Sequence, residues 1–250
     1  MTMDAMTLLL LAGTGLVAGF VDAIAGGGGT ISLPILLSVG VPPISALATN
    51  KAQSIVGTAI AVNTYWRRGL VSIRALLPGV LLTMVGSVTG ALVISHVDTH
   101  VLNYLVPVAL IAIACYFLFA PRLSDVDQAA RLSFVHFVPL IGLVIGFYDG
   151  VFGPGTGSFF AMAFVTLFGL GVTRATGNTK VMNFASNLGA LLLFIFTGAV
   201  LWPAAAAMAV GQVAGGYLGA VTGIRFGSRI IRPLVVVVSI GLALRLLFVH

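Results

Sequence analysis

Two aspartates and two lysines lie within strongly apolar stretches of this 250-residue sequence. Asp22 and Asp149 each come just before a glycine-rich turn, and Lys51 and Lys180 each follow in a later apolar stretch. A carboxylate can take up a proton or hold a coupling ion, and an ammonium group can hold an anion. This placement of four charges indicates a site for a small ion.

The aspartates allow two interpretations. An aspartate at bilayer depth costs about 2.5–3.5 kcal/mol on insertion scales, so a matched pair indicates a task. In one interpretation, Asp22 and Asp149 accept hydrogen bonds from backbone N–H groups of their own glycine turns. In the other, they are the ion-coupling residues, and the candidate ion is a proton.

The lysines are candidates for holding an anion. Lys51 and Lys180 each lie one or two turns inside a predicted span, about 10 Å deep from opposite faces at ~1.5 Å per residue. In a ~30 Å hydrocarbon core, two extended ammonium groups could converge on one anion. The alternative is that each side chain snorkels toward the nearer interface. Nearby polar residues that would complete the site are Asn50, Gln53, Asn178 and Asn183.

The two glycine turns are candidate anion cradles. Gly26–Gly29 and Gly153–Gly157 are followed by hydroxyl residues that can cap the next helix. A helix N-terminus offers free N–H groups and the positive end of the helix dipole. Neither turn is a phosphate-binding P-loop, because no Lys-Ser/Thr closes it. Tight packing of the hairpin arms is the alternative role. The candidate residues are Gly28, Thr30, Gly155 and Thr156.

Composition sets the environment that must position these residues. The chain is 59% hydrophobic and 7% charged, whereas a soluble domain carries about 25% charged residues. Lipid must therefore cover most of the surface. The net charge of +6 comes from basic residues scattered over short joints, which argues against nucleic-acid binding. The histidines lack metal-ligand spacing, so we expect no metal and no cofactor.

Apolar segments predict an all-α polytopic membrane protein. Leu8–Gly40 and Phe134–Gly171 are each predicted to form a helical hairpin around a glycine turn. Their arms, about 17 residues and then 10 to 15, are short for crossings, which favours re-entrant hairpins. Full spans are predicted over Ile44–Trp66, Ala75–Ser95, Val101–Ala120, Gly177–Gly198, Pro203–Ile224 and Ile231–Val249.

The sequence repeats internally. Gly15–Gly28 matches Gly142–Gly155 at eight of fourteen positions after a shift of 127. A shift of 129 places Lys51 on Lys180. Apolar sequence matches easily by chance, but a matched aspartate and a matched lysine do not, so we assign two membrane repeats, 1–125 and 126–250.

Charge distribution predicts that the second repeat is inverted. Arginines gather in alternate joints, which belong on the cytoplasmic side. Both termini are then outside the cytoplasm of a multi-pass cell-membrane protein, with Arg68 and Arg229 inside. Each repeat holds three full spans and one broken or re-entrant hairpin, counted as about eight transmembrane segments. Broken helices at corresponding positions of inverted repeats are typical of a transporter's binding site.

The paired motifs resemble those of the TauE/SafE sulfite exporter family, the toluene-sulfonate uptake permeases. The motifs are Gly19–Gly29 and Ala48–Lys51, echoed by Gly146–Gly155 and Thr176–Lys180. The resemblance covers essentially the whole chain. It implies a secondary transporter of sulfite, sulfonates or other sulfur-containing organic anions in a prokaryotic plasma membrane.

The sequence allows three hypotheses about function. A secondary transporter that works by alternating access, with a small anion and protons as partners, fits the repeats and the buried charges. An anion channel also fits, but its flux would not be coupled to an ion gradient. An intramembrane enzyme fits least, because no nucleophile stands beside a base at matching depth. Membrane lipid is an expected partner, and a homodimer is compatible with the sequence.

Overall fold

The computed structural model describes residues 3–98, 126–227 and 229–230. Within these ranges the chain forms eight α-helices and no strand, which confirms the all-α class. The predicted spans Val101–Ala120 and Ile231–Val249 lie outside the described residues. The helices are α1 (Ala5–Ala25), α2 (Gly28–Ser38), α3 (Pro43–Arg67), α4 (Ile73–Ser95), α5 (Phe134–Val151), α6 (Thr156–Thr166), α7 (Val172–Phe196) and α8 (Trp202–Phe226).

Five described helices, α1, α4, α5, α7 and α8, are long and apolar enough to cross a membrane. With 25 residues, α3 has the length of a span but is more polar, because it carries the buried residues Thr49 to Gln53. The four described spans begin and end within a few residues of the predictions, apart from α7, which begins five residues before Gly177. These helices identify a polytopic membrane protein.

The hairpins differ from the prediction in their first arms. α1 has 21 residues and α5 has 18, so each is long enough to cross. α1 is longer than expected because Asp4 caps it, accepting a hydrogen bond of 3.0 Å from the Thr7 N–H, and because it continues to Ala25. The second arms, α2 and α6, have 11 residues each, about 16 Å or half the hydrocarbon core. Each hairpin therefore joins a span-length arm to a half-length arm.

Glycine faces bring the long helices into contact. A Cβ on Gly15 of α1 would lie 2.1 Å from the Met208 carbonyl oxygen of α8, and one on Gly86 of α4 would lie 2.2 Å from the Leu143 oxygen of α5. No side chain fits at such distances, so the helix backbones touch. Contacts of this kind through small residues are typical of packed membrane helices. The same holds for Gly90, Gly146, Gly215 and Gly219, whereas side chains fill the space beside Gly19 and Gly142.

The two central helices, α3 and α7, run antiparallel. The Leu201 N–H, just after α7, donates to Thr49 Oγ1 near the start of α3 at 3.0 Å. At the opposite end, Gly177 near the start of α7 packs against Tyr65 near the end of α3. These contacts place equivalent helices of the two repeats in opposite directions.

The remaining long helices follow one or other of this pair. α8 runs alongside α3 in the same direction, as the contacts of Gly57 with Gly216 and of Tyr65 with Gly223 show, and α1 follows α8, since Gly15 contacts Met208 and Phe20 contacts Gly219. α4 runs alongside α7 in its direction, with Gly79 against Met182 and Met84 against Gly189, and α5 follows α4, with Leu143 against Gly86 and Phe147 against Gly90. The order long, short, long, long occurs twice in the described ranges, and the long helices of the second set point opposite to those of the first.

Candidate functional site

The two glycine turns meet inside the helix bundle. A Cβ on Gly26 would lie 2.4 Å from the Gly157 carbonyl carbon, and Gly26 has φ +78, so only glycine fits there. Ser158 Oγ donates to the Ala25 carbonyl oxygen at 2.6 Å. The start of α6 is therefore fixed against the end of α1, and the turns of the two hairpins form one junction.

Lys51 on α3 pairs with Asp149 at the end of α5. Lys51 Nζ lies 2.7 Å from Asp149 Oδ2, and both side chains are almost completely buried. The contact is a close ion pair, and because an ammonium group has three N–H donors, two of those of Lys51 have no acceptor among the described residues. The other carboxylate oxygen, Oδ1, accepts a hydrogen bond of 2.7 Å from Thr156 Oγ1.

Lys180 on α7 pairs with Asp22 near the end of α1, but less closely. Lys180 Nζ donates to the Asp22 backbone carbonyl oxygen and lies 3.4 Å from Asp22 Oδ2. Asp22 Oδ1 accepts a long hydrogen bond of 3.3 Å from the Gly28 N–H. The Asp22 side chain keeps 13% exposure, whereas that of Lys180 is fully buried.

Each lysine therefore pairs with the aspartate of the other repeat. Neither lysine reaches an interface, so the structure contradicts the snorkelling alternative. Both aspartates also hold their own turns, Asp22 through the Gly28 N–H and Asp149 through the Thr156 hydroxyl. Each carboxylate therefore both supports its own glycine turn and pairs with a lysine. The two pairs together carry no net charge, which is what burial in an apolar bundle favours.

A small polar cavity lies between the pairs and has room for about one water molecule. Both aspartates and Lys51 contribute to its wall, and amide and hydroxyl side chains supply most of the rest. Its described lining is Asp22, Gly26, Gly29, Asn50, Lys51, Ser54, Asp149, Gly153, Asn183 and Asn187.

The other predicted site residues surround this cavity at different distances. Lys180 reaches it only through Asp22. Thr30 Oγ1 donates to the Gly27 carbonyl oxygen inside its own turn. Gly155, with φ +79, precedes the first residue of α6. Asn178 is buried on α7 but does not line the described cavity wall.

Sequence reasoning missed Gln212, a buried residue on α8. Its Nε2 donates to Gln53 Oε1, and Gln53 Nε2 in turn donates to Asn50 Oδ1 at 2.9 Å. Ser32 Oγ on α2 donates to the same Asn50 oxygen. The available signal was a glutamine within an otherwise apolar helix, but its partner lies 159 residues away in sequence.

The geometry suits an anion more than a cation. The cavity wall presents the Lys51 ammonium group, and the two turns begin the short helices α2 and α6, whose first residues carry no side-chain cap and present the positive ends of the helix dipoles. Each carboxylate holds one lysine, whereas Lys51 keeps two spare N–H donors, which suit an anion. No group of histidines, cysteines and acidic residues with metal-binding geometry occurs in the described ranges.

Comparison with known proteins gives a consistent picture. The model of the family described as sulfite exporter TauE/SafE matches residues 11–246. The chain is similar to the probable membrane transporter protein ORF9 of Sinorhizobium sp, with 50% identity over 232 residues, covering 92% of this chain and 88% of the relative. It is also similar to the probable membrane transporter protein YfcA of Escherichia coli K12, with 42% identity over 233 residues and coverage of 93% and 87%. A probable membrane transporter protein of Haemophilus influenzae is 41% identical over 241 residues, with coverage of 96% and 94%.

Proposed function

The chain belongs to the sulfite exporter TauE/SafE family of membrane transporters, and from this membership we propose that it carries a small sulfur-containing anion across the plasma membrane by alternating access coupled to protons. The substrate class is sulfite, a sulfonate or a sulfur-containing organic acid. The observation that carries the proposal is Lys51, a buried ammonium group on the wall of a cavity between two half-length helices, with two N–H donors left over from its ion pair with Asp149.

The site offers the chemistry that a sulfur oxyanion requires. Such an anion has several oxygen acceptors, and Lys51, the Asn50 amide and the N-termini of α2 and α6 are donors. Charge-assisted hydrogen bonds to an ammonium group are among the strongest available to a protein. The substrate would take the place that the Asp149 carboxylate now holds beside Lys51.

The relation between the repeats supports alternating access. The antiparallel directions of α3 and α7, and of the long helices beside them, support an inverted repeat of residues 1–125 and 126–250. The cavity is too small for sulfite, so the site must widen to admit the substrate. Both ion pairs join one repeat to the other, so rocking of the halves must stretch or exchange them. That motion would open the site to one side at a time.

Charge balance supports coupling to protons. Two lysines and two aspartates sum to zero, and an anion added to this buried site would leave one uncompensated negative charge. Burial of such a charge is costly. One proton taken up by a carboxylate restores neutrality, which makes Asp22 and Asp149 the candidate proton carriers.

The decisive experiment uses purified protein in liposomes with radiolabelled sulfite, taurine and sulfoacetate. A coupled carrier exchanges substrate without a gradient and accumulates it when a pH gradient is imposed. Flux that a pH gradient cannot drive uphill would favour the anion channel instead. Failure to move any of the three anions would contradict the proposed substrate class.

The proposed orientation places both termini outside the cytoplasm, with Arg68 and Arg229 inside. In a background with Cys115 replaced by Ala, single cysteines at residue 3 and at residue 68 should label differently with a membrane-impermeant reagent in intact cells. The cysteine at residue 3 should label before lysis and the one at residue 68 only after it. The reverse pattern would overturn the orientation.

A further inference from the structure

Gln212 occupies a slot that the packing of three helices creates. Its side-chain oxygen Oε1 lies between Gly19 of α1 and Gly57 of α3, where an added Cβ would come within 2.5 Å and 1.9 Å of it. Two glycines are therefore needed to admit this amide. A buried polar group in an apolar helix is costly unless it is hydrogen-bonded, and its Nε2 meets that need by donating to Gln53 Oε1.

From Gln212 to the cavity wall, each amide donates a hydrogen bond to the next one: Gln212 donates to Gln53, and Gln53 donates to Asn50. Because Gln53 Oε1 accepts from Gln212, the Gln53 amide turns its Nε2 toward Asn50 Oδ1, at 2.9 Å, and Ser54 Oγ, also at 2.9 Å. Asn50 Oδ1 accepts a further bond from Ser32 Oγ. An amide has one acceptor end and one donor end, so the donor end of Asn50 faces Gly29 on the cavity wall.

We infer that Gln212 is a positioning residue that fixes the orientation of the Asn50 amide, so that Asn50 presents hydrogen-bond donors to the transported anion. The inference rests on the proposed function, since donors suit an anion. Without the Gln212 donor, Gln53 is free to turn over. Asn50 can then present its carbonyl oxygen, because the single Ser32 proton can go to the Gly28 carbonyl oxygen at 3.1 Å instead of to Asn50. An oxygen facing an anion is repulsive, so anion affinity would fall.

The equivalent position in the other repeat supplies a matched control. Thr83 on α4 corresponds to Gln212 after the shift of 129. Its hydroxyl is fully buried and has no hydrogen-bond partner among the described residues. Among the described residues, no such chain of amides starts at Thr83, and replacing Thr83 removes a buried polar group without touching the Asn50 amide.

The first test compares Gln212→Met with Thr83→Val in liposome exchange of radiolabelled sulfite. Met has nearly the same length and volume as Gln but no donor. We expect Gln212→Met to raise the KM for sulfite about tenfold, the effect of one lost positioned hydrogen bond, with the maximal exchange rate nearly unchanged. Thr83→Val should change neither. An unchanged KM in Gln212→Met, or equal shifts in both variants, would overturn the inference.

The second test needs no substrate and separates this inference from the proposed function. The described hydrogen bonds link Gln212 to Asn50 through Gln53. A double-mutant cycle of Gln212→Met and Asn50→Ala therefore measures whether these three side chains act as a unit. We expect thermal unfolding of the purified protein to show non-additive effects, with Thr83→Val and Asn50→Ala additive. Additive effects in the first cycle would overturn the inference. If the first cycle shows coupling but the protein transports no sulfur-containing anion, the link from Gln212 to Asn50 is supported and only the proposed substrate class is contradicted.

Discussion

The two ion pairs occupy equivalent places in the two repeats but differ in how tightly they are held. Lys51 and Asp149 meet at 2.7 Å with both side chains almost fully buried. Lys180 instead donates to the backbone of Asp22 and stays 3.4 Å from its carboxylate, which keeps 13% exposure. The repeat thus reproduces the residues without reproducing the bond lengths.

This difference suggests a division of tasks between the pairs. A tightly held, buried carboxylate with a second hydrogen bond is suited to holding its lysine in place until an anion replaces it. A loosely held carboxylate beside the cavity can exchange a proton with less rearrangement. We therefore expect Lys51 to carry most of the anion binding and Asp22 most of the coupling.

Replacing Lys51 with Met should have the largest effect and tests most directly whether the two ion pairs differ. Removal of one partner from a buried pair leaves an uncompensated charge, which costs about 3–5 kcal/mol, so both anion binding and thermal stability should fall. The double variant Lys51→Met with Asp149→Asn removes both charges and should recover stability without recovering binding. Lys180→Met is the matched variant and should lose less stability. Equal losses at both lysines would contradict the asymmetry.

The aspartates should separate exchange from coupling. Asp22→Asn should still exchange substrate across liposomes, because Lys180 keeps its hydrogen bond to the backbone carbonyl oxygen of residue 22. It should lose the accumulation driven by a pH gradient, because an amide cannot take up the proton. Asp149→Asn should lose stability and exchange together, since it strands the buried Lys51 charge. Both variants are measured by counterflow and by gradient-driven uptake. Full gradient-driven transport in both variants would show that neither carboxylate is needed for proton coupling.

The hydroxyl that supports Asp149 should have a smaller effect. Thr156→Val removes a hydroxyl that lies 2.7 Å from both Asp149 Oδ1 and the Gly153 carbonyl oxygen, and a hydrogen bond to a charged group contributes about 1.5–3 kcal/mol. Thr30→Val is the control, because the Thr30 hydroxyl donates only to the Gly27 carbonyl oxygen and supports no carboxylate. Thermal unfolding should show a larger loss for Thr156→Val. A larger loss for Thr30→Val would reverse the ranking of the two turns.

The exposed pair of Asp127 and Arg174 should have the smallest effect, although its two atoms are only 2.5 Å apart. Both side chains are about half exposed, so water and salt screen the attraction, and Asp127→Asn should cost well under about 1 kcal/mol. The Gly171 N–H holds the pKa of Asp127 below its ordinary value. That contribution is present above the unfolded pKa of about 3.9 and is lost as the pH falls through the lower folded value. Unfolding midpoints of the variant and the original protein should therefore differ slightly near neutral pH and converge as the pH falls through the folded pKa, and a large gap near neutral pH would show that distance outweighs burial.

Periodicity and spacing predicted most of the fold, because membrane thickness fixes helix length and small residues fix close approach. The helices α3, α4 and α8 lie within a few residues of their predicted bounds. The arms of the hairpins were less predictable: α1 begins at a polar cap, Asp4, that precedes the apolar run.

The sequence singles out the residues of the candidate site but does not show how they pair. Lys51 and Asp149 each stand out as charges in apolar sequence, yet nothing local in the sequence shows that they pair across repeats. The same applies to Gln212 and Gln53, which meet only because Gly19 and Gly57 leave room for the amide. Pairing at such separations depends on the packing of the whole bundle.

The exchange of partners between repeats also bears on how the protein is made. When only the first half has entered the membrane, Asp22 and Lys51 lack the partners that they have in the finished bundle, and each isolated charge at that depth costs about 2.5–3.5 kcal/mol. Synthesis of the second half supplies Lys180 and Asp149 and completes both pairs at once. Biogenesis of the two halves is therefore interdependent: a chain that stops before α5 should be retained by membrane quality control, and co-expression of the missing half should rescue it.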